Sequence, residues 1–335
     1  MAGAPAATSS PRAGRERSNA RVALVAVAAI VGAQFLLVLV FSWSSSRQAP
    51  HALPIAVAGP PQAAQGLAQG LAHSEPGAFA VTVLPDDTAA RGAVSNRRVY
   101  AAVSLMATGA TLYTASAASP TVSQTLAQTV PAAVARALPS VTVTVIDLAP
   151  NPTHDPHGAS IPGALIPLTI TSIAAGAVTG LLVRGRAARI AALTGYTIAA
   201  GALATLALQS VLGGLSGPWL ANAGVLALGA GAIATATTGL YAVAGIAGIA
   251  TSAIVVFFLG FPFSGATTAW QLVPTPWGHL GQFLPVGATN AALRSVAFFD
   301  AARAAGPLTV LAGWALVGLV LVLLARASRT AAGPA

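Results

Sequence analysis

Six stretches of this chain are uncharged, apolar and long enough to cross a bilayer. They are Val22–Trp43, Ile161–Val183, Ile190–Leu212, two segments within Trp219–Leu259 that meet at a tight turn near Gly239–Gly245, and Leu308–Leu324. A hydrocarbon core of ~30 Å takes about 20 helical residues at 1.5 Å each. Only helices and closed barrels satisfy their backbone polar groups in lipid. Runs of this length therefore restrict the fold to an α-helical polytopic membrane protein. Composition agrees: charged residues make up 7% of the chain, against about 25% in soluble domains. The first run exceeds the ~7–15 residues of a signal-peptide core, so it is expected to remain as an anchor.

The distribution of arginine sets the expected orientation. All sixteen basic residues are Arg, and the net charge is +9. Arg12, Arg15, Arg17 and Arg21 precede the first run, Arg184, Arg186 and Arg189 separate the second from the third, and Arg326 and Arg329 follow the last. Arginine in alternate connections is the positive-inside pattern. It predicts both termini in the cytosol, 1–21 as a disordered tail, 326–335 as a second cytoplasmic tail, and 44–160 outside a bacterial plasma membrane. The bacterial assignment comes from Arg-only basic usage with abundant Ala and Gly, which suggests GC-rich coding. No basic stripe with interleaved aromatics is present, so nucleic acid is not an expected partner. Membrane lipid is.

Segment 44–160 differs from the rest. It holds five of the seven acids and four of the five histidines. Strands are expected at 53–58, 79–84, 99–106, 111–116 and 141–147, and helices at 62–72, 86–96 and 121–138, the last interrupted or kinked at Pro131. The alternation of strand and helix predicts a small α/β domain between membrane helices 1 and 2. Within 161–325 five spans are expected, with 260–306 as an interruption. Its Gly260-Phe-Pro-Phe-Ser-Gly265 motif is expected to break the fifth span, and Ala288–Ala305 to be helical. Two readings are open for 260–306: re-entrant helices forming an outer gate, or a surface loop with an amphipathic helix. Non-helical backbone at membrane depth is tolerated only when buried in protein or lining a cavity.

Several chemistries lack their residues. Without Cys there is no disulfide, thiolate or Cys-ligated metal, and without Lys there is no Walker A loop, Schiff base or Ser-x-x-Lys nucleophile. HExxH and GxSxG are absent. No enzyme activity and no cofactor are expected. His154-Asp155-Pro156-His157 reads as a solvated linker or a weak metal site. Asp86 reads as a helix cap. Arg97 and Arg98 read as a solvated helix end or a site for an anionic headgroup, and Asp300 and Arg303 as a local helix pair. Intramembrane polar residues, notably Gln209, Asn222 and Thr235, either line a translocation path or bond neighbouring helices. Gly176-Ala-Val-Thr-Gly180 is a close-packing face for a helix of the same chain or of a second copy.

The stretches PDDTAARGAVSNRRVYAAVSL (85–105) and GFPFSGATTAWQLVPTPWGHLGQFLPVGATNAALRSVAFFDAA (260–302) resemble the type-2 ABC exporter permeases, in the YhgE / phage-infection-protein branch. The order of parts is also similar over most of 20–330. The resemblance implies a permease-like subunit that moves a lipophilic or envelope-related compound outward. It implies a separate ATP-binding subunit that contacts the 183–190 loop through Arg184, Arg186 and Arg189, and a homodimer or heterodimer of permeases. Gly260, Pro262, Gly265, Pro285, Gly287 and Arg294 would belong to the outer gate. The alternative is a membrane-anchored envelope scaffold whose external domain binds a partner.

Overall fold

The computed structural model describes residues 11–106, 109–137 and 141–324. The expectations for 326–335, including Arg326 and Arg329, lie outside the described residues. Among the described residues, six helices are long and apolar enough to cross a membrane: Arg21–Ser46, Ser160–Leu182, Arg186–Val211, Trp219–Ala244, Ile246–Phe263 and Ala305–Leu324.

The first of these belongs to helix α1 (Pro11–Ser46), in a unit of its own that ends at Ser46. Its backbone is helical from Pro11, and residues 1–10 of the expected tail lie outside the described residues. Pro at the first turn and the Ala and Arg that follow are compatible with helix, so the coil does not need to extend to the apolar run.

The second unit begins at Arg47. Its first part is a five-stranded sheet of β1 (Leu53–Ala58), β2 (Phe79–Leu84), β3 (Ala101–Met106), β4 (Gly109–Thr114) and β5 (Val143–Asp147), in the order β2-β1-β3-β4-β5. β1 pairs in parallel with β2 and β3, β3 with β4 antiparallel, and β4 with β5 in parallel. The connecting helices are α2 (Pro61–Ser74), α3 (Asp87–Ser95) and α4 (Pro120–Ala137), with Pro131 inside α4. Period-two side-chain alternation sorts β1 between two cores. Leu53, Ile55 and Val57 pack with Leu67, Leu126 and Val130 of α2 and α4, while Ala56 and Ala58 pack with Ala90 and Val94 of α3. A central strand covered on both faces has to be apolar throughout, as LPIAVA is.

The rest is helical: α5 (Ser160–Leu182), α6 (Arg186–Thr205), α7 (Trp219–Ala244), α8 (Ile246–Ser252), α9 (Gly260–Phe263), α10 (Trp277–Gln282), α11 (Pro285–Phe298) and α12 (Ala305–Leu324). A π-helical stretch, Leu206–Val211, extends α6, and another, Ala253–Leu259, joins α8 to α9. The fifth apolar helix therefore continues through Gly260 and Pro262 and ends at Phe263, not at the expected break. The chain turns after it, at Gly265, where φ is +67°. A Cβ there would lie 2.5 Å from the Trp270 amide nitrogen, so the turn excludes a side chain as well as favouring glycine's conformation. The turn between α7 and α8 falls at Gly245 (φ +64°), at the edge of the expected interval.

Helix α7 is central, and 13 of its 26 residues are buried. Close approach needs small residues. A Cβ on Gly176 of α5 would sit 2.5 Å from the Ala234 carbonyl oxygen of α7, and the Thr238 hydroxyl donates to the Gly176 carbonyl at 2.9 Å. The Gly176–Gly180 face is thus used within the chain.

Candidate functional site: an arginine-lined cavity

Segment 260–306 carries the most informative geometry. Twelve residues of α11, Pro285–Asn290 and Ala292–Ala297, are buried. Gly229 of α7 touches Thr289, and Ala288 packs with Ala232 of α7 and Leu311 of α12. Gly217, just ahead of α7, touches Val296 and Ala297. The N-terminal end of α11 therefore lies roughly 15–20 Å along α7 from Trp219, and its C-terminal end lies beside the start of α7. It is a helix buried inside the helical part, packed on α7 and α12, not a surface amphipathic helix. It also ends at Phe298, short of the expected 305. Residues 299–304 form a turn in which Asp300, Ala301 and Arg303 all have positive φ. The expected Asp300–Arg303 helix pair does not form among the described residues, because there is no helix there to bring the two side chains onto one face.

One face of α11 meets the α/β part through two arginines. Arg294, 2% exposed, donates from Nη1 to the Ala117 carbonyl (2.8 Å), from Nη2 to the Ala266 carbonyl (3.2 Å) and from Nε to Asn290 Oδ1 (3.1 Å). Every branch of its guanidinium is used, and it ties the loop after β4 to α11 and to the turn after α9. Arg97 reaches from the end of α3 and donates from Nη1 to the Ala291 carbonyl (2.9 Å) and to Ser295 Oγ. Its guanidinium carbon lies 5.2 Å from the centre of the Phe299 ring.

The backbone at Arg97 explains its direction. The Arg97 amide bonds to the Val94 carbonyl and the Arg98 amide to Ala93, closing α3 with a Schellman turn. That turn needs a left-handed residue at position 97, normally Gly, and Arg97 has φ +54°. A non-glycine residue there costs about 1–2 kcal/mol. Arg303 has φ +58°.

These residues border a cavity of about 460 Å³ between the α/β part and α10, α11 and α12. Arg97, Arg98 and Arg303 line it, with Tyr100, Trp270 and His279, and no carboxylate does among the described residues. A side cavity of about 60 Å³ reaches Arg294. Tyr100 donates to Gln271 Oε1 at 2.9 Å, and the rings of Trp270 and His279 stand edge-on at 4.5 Å. Burial pushes the Arg97 pKa below the ordinary arginine range, Tyr100 opposes this, and Arg303 adds like-charge repulsion. Burial also raises the Tyr100 phenol, against Arg97 and the Gln271 hydrogen bond.

The other expected sites separate. Of the gate residues, Gly260, Gly265, Pro285 and Gly287 are buried backbone positions, Pro262 is half-buried, and Arg294 alone carries a functional group. Gly287 packs on the Gly281 carbonyl. The loop between α5 and α6 has only three residues. Arg189 donates to the Val183 (2.9 Å) and Gly180 (3.1 Å) carbonyls, and Arg186 to Leu323 (2.6 Å), which leaves Arg184 exposed and without a side-chain partner among the described residues. Asn222 donates to Gln209 Oε1 (2.9 Å) and the Ser216 carbonyl (2.7 Å), and Gln209 donates to Gly217 (2.9 Å). Thr235 bonds its own helix at Gly231, about 20 Å further along α7. These three residues do not converge. Asp155 accepts from the Ala159 and Ser160 amides, both at 2.8 Å, and Asp86 accepts from Ala89. Each carboxylate is a helix cap.

Sequence reasoning found Arg97 and Arg98 but missed Tyr100, Trp270, His279 and Arg303 as their neighbours. The usable signal was the concentration of arginine and aromatics in 97–100 and 270–303, in a chain nearly free of charge. Among known proteins, no family model, no curated protein and no solved structure matches the chain.

Proposed function

We propose that the chain is the permease-like membrane subunit of a type-2 ABC export system, carrying a lipophilic or envelope-related compound outward across a bacterial plasma membrane with a separate ATPase. The observation that carries this reading is α11: a buried helix packed against α7 and α12 and tied to the α/β domain through Arg97 and Arg294. In a transporter, irregular backbone at depth is tolerated where it borders a cavity, and such segments mark the substrate region. The α/β domain lies outside, the α5–α6 loop inside, and two copies or two related chains form the path. Alternating access would act on α11, whose arginine ties to the α/β domain couple the two parts.

The commitment of Arg186 and Arg189 to helix carbonyls favours a second reading, a scaffold whose external domain serves a partner, because only Arg184 is left to engage an ATPase. Affinity purification of the full chain from its own membranes in mild detergent distinguishes the two. The exporter reading expects a co-purifying ATPase that is lost on Arg184→Glu. Recovery of external partners and no ATPase contradicts it.

A further inference from the structure

The cavity has two unlike ends. At one end stand Arg97, Arg98 and Arg303. Arg97 uses only Nη1, so Nε and Nη2 have no hydrogen-bond partner among the described residues. Arg98 and Arg303 are exposed, and neither has a side-chain partner among the described residues. Three arginines thus line one void with no carboxylate among the described residues of its lining, in a protein with few charges to spare. Two of them rest on left-handed backbone. Strain of this kind persists only where the surrounding structure enforces it. Arginine forks match phosphate oxygens geometrically, and they pair more strongly than neutral donors.

The other end is apolar and open. Phe283 lines the cavity and is 66% exposed. Its carbonyl accepts from Trp314 Nε1 at 2.8 Å, which places it beside α12 roughly 13 Å from Ala305. Pro307, at the start of α12, lines the same cavity. The void therefore runs from the first turn of an apolar helix towards its middle. Leu280, on the same short helix α10 as the exposed Trp277, is also exposed. A soluble anion needs no such lip, whereas an amphiphile does.

We infer that this cavity binds the phosphate-bearing headgroup of an anionic lipid, with Arg97, Arg98 and Arg303 on the phosphate and the acyl chains leaving over Phe283. Its volume lies within the ~300–1,000 Å³ of small-molecule sites. The inference requires the apolar helices to lie in lipid, and it holds with or without an ATPase. Free phosphate shares the headgroup's chemistry, so the test separates the two.

The full chain is incorporated into phosphatidylcholine nanodiscs, which tests membrane insertion on its own. Dihexanoyl phosphatidic acid, dihexanoyl phosphatidylcholine and inorganic phosphate are then titrated while tryptophan emission is followed, since Trp270 lines the cavity. Saturable binding of phosphatidic acid is expected, tighter than either comparator by about tenfold or more. The double variant Arg98→Gln/Arg303→Gln should weaken it at least about tenfold with an unchanged melting temperature, both side chains being exposed. Phe283→Ser should weaken phosphatidic acid and leave any binding of inorganic phosphate unchanged. Phosphatidic acid binding no tighter than phosphatidylcholine, or unaffected by the double variant, overturns the inference. Inorganic phosphate binding as tightly as phosphatidic acid also overturns it, leaving a small-anion site.

Discussion

The two ends of α12 show arginine put to opposite uses. At its C-terminal end, Arg186 donates to the Leu323 carbonyl, and Arg189 covers the last carbonyls of α5. Helix C-termini present unpaired carbonyls and partial negative charge, so arginines in the first turn of α6, which three residues separate from the end of α5, have acceptors at hand. At the N-terminal end, Arg98 and Arg303 border a void and Arg97 is only part-committed. Distance to a backbone acceptor decides which arginines hold the fold and which stay available. Charge counts along the sequence treat both groups alike.

This contrast ranks the consequences of removing each arginine. Arg294→Met should have the largest effect, because it strands the Ala117 and Ala266 carbonyls and Asn290 Oδ1 away from solvent. A loss of about 2–4 kcal/mol is expected, read as a lower melting temperature in detergent. A melting temperature near wild type would mean that the tie between α11 and the β4 loop is dispensable. Arg189→Ala should cost about 1 kcal/mol, since two helix-end carbonyls turn to water, whereas Arg184→Ala should cost nothing measurable. Equal effects would erase the distinction within the loop.

The smallest effect belongs to a surface pair. Arg91 Nε lies 2.8 Å from Asp87 Oδ2, and the Tyr113 hydroxyl donates to Asp87 Oδ1 at 2.7 Å. The Tyr113 hydrogen bond, with smaller help from Arg91, holds the Asp87 pKa below the usual carboxylate range. A carboxyl with a depressed folded pKa stabilises above its unfolded value, and that contribution is lost as pH falls through the lowered one. Asp87→Asn should therefore flatten the acid side of the stability profile, by less than about 1 kcal/mol. An unchanged profile would show that the pair is solvated away.

Much of the fold was legible in the sequence. β1 and β2 fall on the expected residues because alternation or a continuous apolar run fixes a strand closely. Helix α4 continues through Pro131 without interruption. Element ends were less legible. Gly260 and Pro262 looked like breakers, yet packing under α11 keeps them helical. The depth of α11 was not legible either, because GATNAALRSVAF has neither a long apolar run nor a strong polar face, and its burial depends on α7 and α12. The site was half legible. Arg97 and Arg98 stood out beside one another, but only tertiary contact brings in Arg303, Trp270 and His279. Asp155, read as part of a solvated linker or a weak metal site, is a cap, since the α5 N-terminus begins within reach of its carboxylate.

Everything rests on the helices crossing a bilayer with the cavity and the α5–α6 loop on opposite sides. The chain has no cysteine, so single cysteines can be introduced without background. Arg98→Cys and Arg184→Cys, treated in intact cells with an impermeant maleimide, give the most direct reading. The account predicts labelling at 98 before permeabilisation and at 184 only after it; reaction of both from the same side, or of 184 alone from outside, would contradict it.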